Sequence, residues 1–283
     1  MRTREKEEIR EAVRERYGKI ARDGSGSFEA SEKSSCCGSF ENFTDTKKQS
    51  SCCGPTDFSA SNISAVLGYS KEDIESVTEG ANMGLGCGNP VALASLKLGE
   101  TVVDLGSGGG FDCFLAAKQV GEAGKVIGVD MTPDMIGKAR KNAEKMRTKN
   151  VEFRLGEIEN LPVADNSADI IMSNCVINLS PDKARVYRDA YRVLKPGGRI
   201  AISDIVATAE LPDEIKKNLK LVSACVGGAA TIDETEDMLK QCGFQKIKIT
   251  GRDESRALIN KWAPGSHAGD YIVSAHIEAV KPN

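Results

Sequence analysis

A short β-branched run, Thr101-Val102-Val103-Asp104-Leu105, passes through Gly106-Ser107-Gly108-Gly109-Gly110 into Phe111 to Val120, where apolar residues recur at helical spacing. No other stretch constrains the fold as tightly. Glycines at a strand-to-helix turn let the backbone turn sharply and let a ligand approach it closely. The spacing is G-x-G-x-G, whereas the dinucleotide fingerprint usually places its third glycine later. A second apolar run, Lys125 to Asp130, ends in a carboxylate where a ribose hydroxyl pair needs an acceptor. Together these features predict a nucleoside site, which NAD enzymes and S-adenosylmethionine enzymes share.

The residues that follow favour methyl transfer. Gly156-Glu157-Ile158-Glu159-Asn160-Leu161-Pro162 comes after a third short strand, and Asp165-x-Ser167-x-Asp169 leads into a fourth that reaches Ser173-Asn174. Tyr191-Arg192-Val193-Leu194-Lys195-Pro196-Gly197-Gly198-Arg199 precedes a fifth strand ending Ile202-Ser203-Asp204. This series resembles the class I S-adenosylmethionine-dependent methyltransferases. The resemblance implies a Rossmann-like α/β fold, a mostly parallel seven-stranded sheet with helices on both faces. In such sheets the ligand lies at the carboxyl ends of the strands. Asp104, Gly106, Ser107, Gly108 and Gly110 would then meet the methionine part of the cofactor and Asp130 its ribose. Met131, Glu157 and Ile158 would meet the adenine, and Asn174 would stand beside the methyl donor.

With 283 residues, 40% of them hydrophobic, the chain has material for one large α/β domain with appendages. A net charge of -3 supplies no basic field and disfavours a nucleic-acid partner. The first residues lack the apolar core of a signal peptide, and no run approaches the roughly 18 apolar residues of a membrane span, so a cytoplasmic protein without a membrane partner is expected. Thiols stay reduced in that compartment, so nine cysteines point to metal, metalloid or redox chemistry rather than structural disulfides.

Residues 1–22 place Ile9, Val13, Tyr17 and Ile20 on one stripe of a charged helix, which predicts either a cover for a sheet edge or a lid over the cofactor. From 23 to 61 the composition is that of a flexible arm, yet Ser34-Ser35-Cys36-Cys37-Gly38 recurs as Ser50-Ser51-Cys52-Cys53-Gly54. Adjacent cysteines lack the ligand spacing of common structural zinc sites, which favours thiol capture or exchange. Residues 62–283 form the catalytic domain. Within it Ser70 and Asp73 cap a helix, Gly80 to Pro90 is a loop carrying Cys87, and Val91 to Leu96 is a short helix. An insertion near 205–232 is expected to roof the substrate site. Its helix, Pro212 to Val226, sets Ile215, Leu219, Val222 and Val226 on one face and Cys225 in the last turn. Cys113 and Cys242 read as ordinary core, and His267 and His276 have no catalytic partner. Phe244 to Thr250 and Tyr271 to Ile277 alternate as strands of an antiparallel edge.

Gly86-Cys87-Gly88, Ser173-Asn174-Cys175-Val176 and Ala224-Cys225-Val226, with the upstream Cys-Cys arm, resemble the arsenite S-adenosylmethionine methyltransferase family from about residue 70 to 250. The resemblance implies that Cys87, Cys175 and Cys225 bind As(III), and that one of Cys36, Cys37, Cys52 and Cys53 supplies a further thiol during turnover. Its substrate would be arsenite or thiol-bound arsenite, and thioredoxin or a small thiol would reset the enzyme. Many members carry a C-terminal domain, for which few residues follow the last strand here. Soft thiolates match the soft As(III) centre, and the arsenic lone pair needs no general base to accept a methyl group. The alternatives are a carbon- or oxygen-methyltransferase of a quinone or other small molecule, which would not need three cysteines, and a thiol-rich metalloid sensor or sink, which would not need a methyl donor.

Overall fold

The computed structural model describes residues 3–23, 59–262 and 267–283. The chain runs α1 (Thr3–Asp23), α2 (Ala60–Val66), α3 (Lys71–Glu75), α4 (Pro90–Ala94), β1 (Thr101–Leu105), α5 (Phe111–Val120), β2 (Lys125–Asp130), α6 (Pro133–Met146), β3 (Val151–Leu155) and β4 (Ala168–Asn174). It continues through α7 (Lys183–Val193), β5 (Leu194–Ala207), α8 (Asp213–Lys216), α9 (Leu219–Val222), α10 (Ile232–Cys242), β6 (Gln245–Arg252), α11 (Arg256–Trp262) and β7 (Ile272–Val280). The seven strands form one sheet in the order β3-β2-β1-β4-β5-β7-β6. All neighbours are parallel except β7, which is antiparallel to both β5 and β6. The expected doubly wound class I methyltransferase fold is therefore the one observed.

Strand alternation divides the core into two layers. Val103, Leu105, Ile171, Ile200 and Ile202 face α7 and α10 through Val186, Ala190 and Leu239. Val102, Ile170, Met172 and Ala201 face the other way, onto α4 and α5 through Val91, Phe114 and Ala117. Both faces of β1 are thus covered, which is why its sequence is a continuous apolar run interrupted only by Asp104.

Order reverses at β1, with β2 on one side and β4 on the other, and the crevice opens beyond their carboxyl ends. Several expected element limits differ, and β6 and β7 each start one residue later and end two or three residues later than their alternation indicates. β5 extends to Ala207, because β7 pairs with it as far as Ala207↔Ile272. The short helix after the Cys87 loop is Pro90–Ala94, capped by Asn89 and ended by Ser95 in the left-handed region at φ 48°. The single helix expected over 212–226 is instead α8 and α9. Asn218 breaks it by accepting from the backbone N–H groups of Lys220 and Leu221, which starts a new helix. Leu219, expected on the buried face, is 46% exposed, while Ile215, Val222 and Val226 are buried. No described helix is long and apolar enough to cross a membrane.

Candidate functional site

At the crevice lies a cleft that opens to solvent, lined among others by Asp104, Gly106, Ser107, Gly108, Asp130, Met131, Ile158, Asn174 and Cys175. The glycine turn is a packing necessity as well as a ligand seat. Gly106 sits at φ 70°, and a Cβ there would lie 2.4 Å from a Val176 methyl. Asp130 closes the turn, accepting from the Gly108 N–H at 3.0 Å and the Thr132 N–H at 2.8 Å. Two cofactor candidates stand elsewhere. Gly110 turns away, since a Cβ there would meet Phe114 and Phe153. Glu157 pairs with Arg14 at 2.7 Å, and Glu159 takes its place in the cleft wall.

Four buried carboxylates line the cleft: Asp104, Asp112, Asp130 and Glu159. Burial pushes Asp104, Asp112 and Asp130 above the usual carboxylate range, Asp112 to about 6. Asp112 accepts from the Tyr69 hydroxyl at 2.5 Å and from Asn174 at 3.1 Å, and Asp104 from the Cys113 thiol at 3.2 Å. Cys113 is therefore buried, as expected, but also polar in its role. Two further lining residues, Asn82 and Ser107, each have a buried polar atom, Nδ2 and Oγ, with no partner among the described residues. A nucleoside ligand bearing a positive charge and an amino-acid tail fits this wall, whereas a pyrophosphate would face carboxylates.

Behind Cys175 the structure brings Cys87 and Cys225 together, and all three are free and buried. The Cys87 and Cys175 thiols and a carboxylate oxygen of Asp204 lie within 4.8 Å of one another. The Cys175 thiol stands within interacting reach of both Cys87 and Cys225. The Cys225 thiol also donates to the Cys175 carbonyl at 2.8 Å. For Cys175 the Cys225 thiol favours the thiolate, but Cys87 and burial outweigh it and hold the thiol well above its usual range. Cys225 is raised by Cys175 and by burial, and Cys87 by burial.

Local backbone explains the convergence. Cys175 and Cys225 both occupy the left-handed region, at φ 59° and 63°, where a non-glycine residue is uncommon and costs roughly 1–3 kcal/mol. Cys225 follows α9 in a turn, outside the helix expected to carry it. Cys87 is delivered by close approach: a Cβ at Gly86 would lie 2.5 Å from the Asn174 amide, and one at Gly88 2.7 Å from Ser203 Oγ. Asn174 then joins the two halves of the site. Its Oδ1 accepts from the Cys87 N–H at 3.0 Å. Its Nδ2 donates to Gly88 O at 3.0 Å, Tyr69 at 2.9 Å and Asp112 at 3.1 Å.

Several contributors escaped the sequence reading. Asp112 had a legible signal, an acid in the first turn after the glycine loop; Tyr69 and Asp204 had none. Of the two roles open for α1, the structure has it over the cleft, where Arg10, Val13 and Tyr17 form part of the lining. Cys36, Cys37, Cys52 and Cys53 lie outside the described residues.

The family described as Methyltransferase domain matches residues 96–243. The arsenite methyltransferase of Halobacterium salinarum is 51% identical over 279 residues, covering 99% of this chain and 68% of that protein. That of Aquipseudomonas alcaligenes is 44% identical over 171 residues, 58% of this chain and 49% of its own length. The chain thus spans about two thirds of the first relative and about half of the second. Among solved structures, an arsenic (III) S-adenosylmethionine methyltransferase from Chlamydomonas reinhardtii superimposes with a TM-score of 0.57 at 32% identity, covering 79% of this chain and 73% of that one.

Proposed function

The chain belongs to the arsenite methyltransferase family, and from that footing we propose that it transfers a methyl group from S-adenosylmethionine to trivalent arsenic held by Cys87, Cys175 and Cys225. The observation that carries the reading is the thiol trio at the end of β4, tied through Asn174 to a cleft walled by Asp104, Asp112 and Asp130.

S-adenosylmethionine, when bound, supplies an electrophilic methyl group on a cationic sulfur. The residues here suit it. Asp104, Asp112 and Asp130 offer compensating negative charge in a partly dry wall, where charge interactions are stronger than in water. Asp130 retains lone pairs for the ribose hydroxyls, and the unpartnered Ser107 Oγ and Asn82 Nδ2 are available to the amino-acid end. Met131 and Ile158 provide apolar surface for the adenine.

The raised thiol pKa values do not oppose arsenite capture. Each thiol proton leaves with an arsenic hydroxide as water, so no free thiolate need precede the bond. Three sulfur ligands leave arsenic with a lone pair, the nucleophile. The chain's contribution is to hold that centre near the cleft and exclude water, for which orientation alone supplies up to roughly 7–11 kcal/mol. A disulfide among the site cysteines would return the methylated arsenic to the trivalent state, after which thioredoxin or a small thiol would restore the dithiol. The role assigned is arsenic detoxification.

The test is incubation with As(III), a thiol and methyl-labelled S-adenosylmethionine. Methylated arsenicals are expected. Label appearing only in an added quinol would replace the reading with that of a carbon- or oxygen-methyltransferase.

A further inference from the structure

We propose that Tyr17, delivered by α1, is a positioning residue of the thiol site, where its hydroxyl holds Cys225 in the arsenic-binding arrangement. The inference rests on the arsenic reading above and adds a residue from a part of the chain remote in sequence from all three cysteines.

Three observations place Tyr17 there. It lines the same cleft as Cys175. It packs against the apolar cluster that contains Cys87, Cys175 and Cys225. Its hydroxyl stands near Cys225, within reach of a hydrogen bond, because α1 packs against α9, the helix that immediately precedes the Cys225 turn. The helix that carries it is anchored at several points. Lys6 pairs with Asp182 at 2.7 Å, Arg10 with Glu159 at 3.3 Å and Arg14 with Glu157 at 2.7 Å, while Arg22 pairs with Asp134. Val13, one turn before Tyr17, is buried in the same cluster as the thiols.

The chemistry of Cys225 makes that contact consequential. In the free protein its thiol donates to the Cys175 carbonyl at 2.8 Å. Once the sulfur binds arsenic the thiol proton is gone, and a carbonyl oxygen offers nothing to a sulfur that carries negative charge. The Tyr17 hydroxyl is a donor, so it can turn its proton to that sulfur and take over where the carbonyl contact fails. Cys225 lies in a turn after α9 with a left-handed backbone, outside any regular element that would restrain it. Tyr17 therefore favours the arsenic-bound state over the free one.

Tyr17→Phe keeps the ring and removes only the hydroxyl. Arsenite binding without S-adenosylmethionine, followed by the ultraviolet absorption of arsenic–thiolate bonds, should weaken about tenfold, the equivalent of about 1.4 kcal/mol. KM for arsenite should rise by a similar factor with kcat within about twofold, and S-adenosylmethionine affinity and melting temperature should be unchanged. In a Cys225→Ser background the same substitution should add nothing. Equal arsenite affinity in Tyr17→Phe and the parent protein would overturn the proposal. So would a matching loss of cofactor affinity and melting temperature, which marks a purely structural role, or a further tenfold loss in the Cys225→Ser background. Failure of the parent protein to bind arsenite at all would instead remove the arsenic reading.

Discussion

Replacing Asn174 should damage both halves of the site at once. Its amide serves the Cys87 N–H, Gly88 O, Tyr69 and Asp112, all at 2.9–3.1 Å. Asn174→Ala leaves the Cys87 N–H and Gly88 O without partners, and an unmade buried hydrogen bond costs about 1–3 kcal/mol. Nδ2 has two hydrogens for three acceptors and the residue borders the cleft, so water recovers part of the loss. A net destabilisation of about 2–4 kcal/mol follows, or a fall of roughly 3–7 °C in melting temperature for a chain of this size. Arsenite affinity should fall with it, because the loop carrying Cys87 is released. Asn174→Asp is the sharper probe. It keeps an acceptor for Cys87 but sets a second carboxylate against Asp112 in place of a donor. Asp112 is raised to about 6 by burial, so the two repel at pH 8 and relax once Asp112 is protonated. The gap in melting temperature between Asn174→Asp and the parent should therefore narrow as pH falls from 8 to 5. Thermal unfolding of the three proteins across that range decides it. A pH-independent gap, or Asn174→Ala within 1 kcal/mol of the parent by the scale of one ordinary hydrogen bond, would refute the reasoning.

Serine at Cys175 or Cys225 should abolish every methylation step, while serine at Cys87 should spare methylation of a monomethyl arsenical, which needs two sulfur ligands; product analysis by chromatography reads this directly. Asp130→Ala should weaken S-adenosylmethionine by roughly 10–150-fold, the equivalent of 1.5–3 kcal/mol for charge-assisted hydrogen bonds, measured by calorimetry. The buried carboxylates set a pH trend for the ligand-free protein. Asp112 and Asp204 have folded values of about 6 against roughly 3.9 unfolded, so their ionisation opposes folding at neutral pH. Stability should rise as pH falls through 6 towards 5. It should fall again at lower pH, as the native pairs of Asp169, Asp182 and Glu152, all with lowered values, are protonated. Serine at all four of Cys36, Cys37, Cys52 and Cys53 should leave S-adenosylmethionine binding intact while slowing arsenite capture or multiple turnover. Unchanged kinetics with a lower melting temperature would mark those cysteines as a staple.

The nucleotide-binding half was legible because its signals are local. β1, α5 and β2 have the limits that their apolar runs and glycines indicate, and the Ser70–Asp73 capping box forms as its spacing predicts. The helix expected over 212–226 failed for an equally local reason that apolar periodicity conceals: Asn218 supplies a cap in mid-pattern. Cys87, Cys175 and Cys225 were picked out by resemblance, since nothing in their spacing requires a shared site.

What the sequence determined by itself is the alternation of strand and helix, the glycine turn with its following acids, and the supply of thiols, each encoded within one or two turns of chain. Only the tertiary structure decided which of these meet. Placing β4 between β1 and β5 sets Asn174 and Cys175 at the switch in strand order. The close approach allowed by Gly86 and Gly88 then lays Cys87 against Asn174, and α1 crosses the cleft to bring Tyr17 to Cys225. Such contacts join residues far apart in the chain through the packing of the sheet's carboxyl edge. Packing of that kind depends on the shape and hydrogen-bonding of all the elements together, and no local pattern carries it.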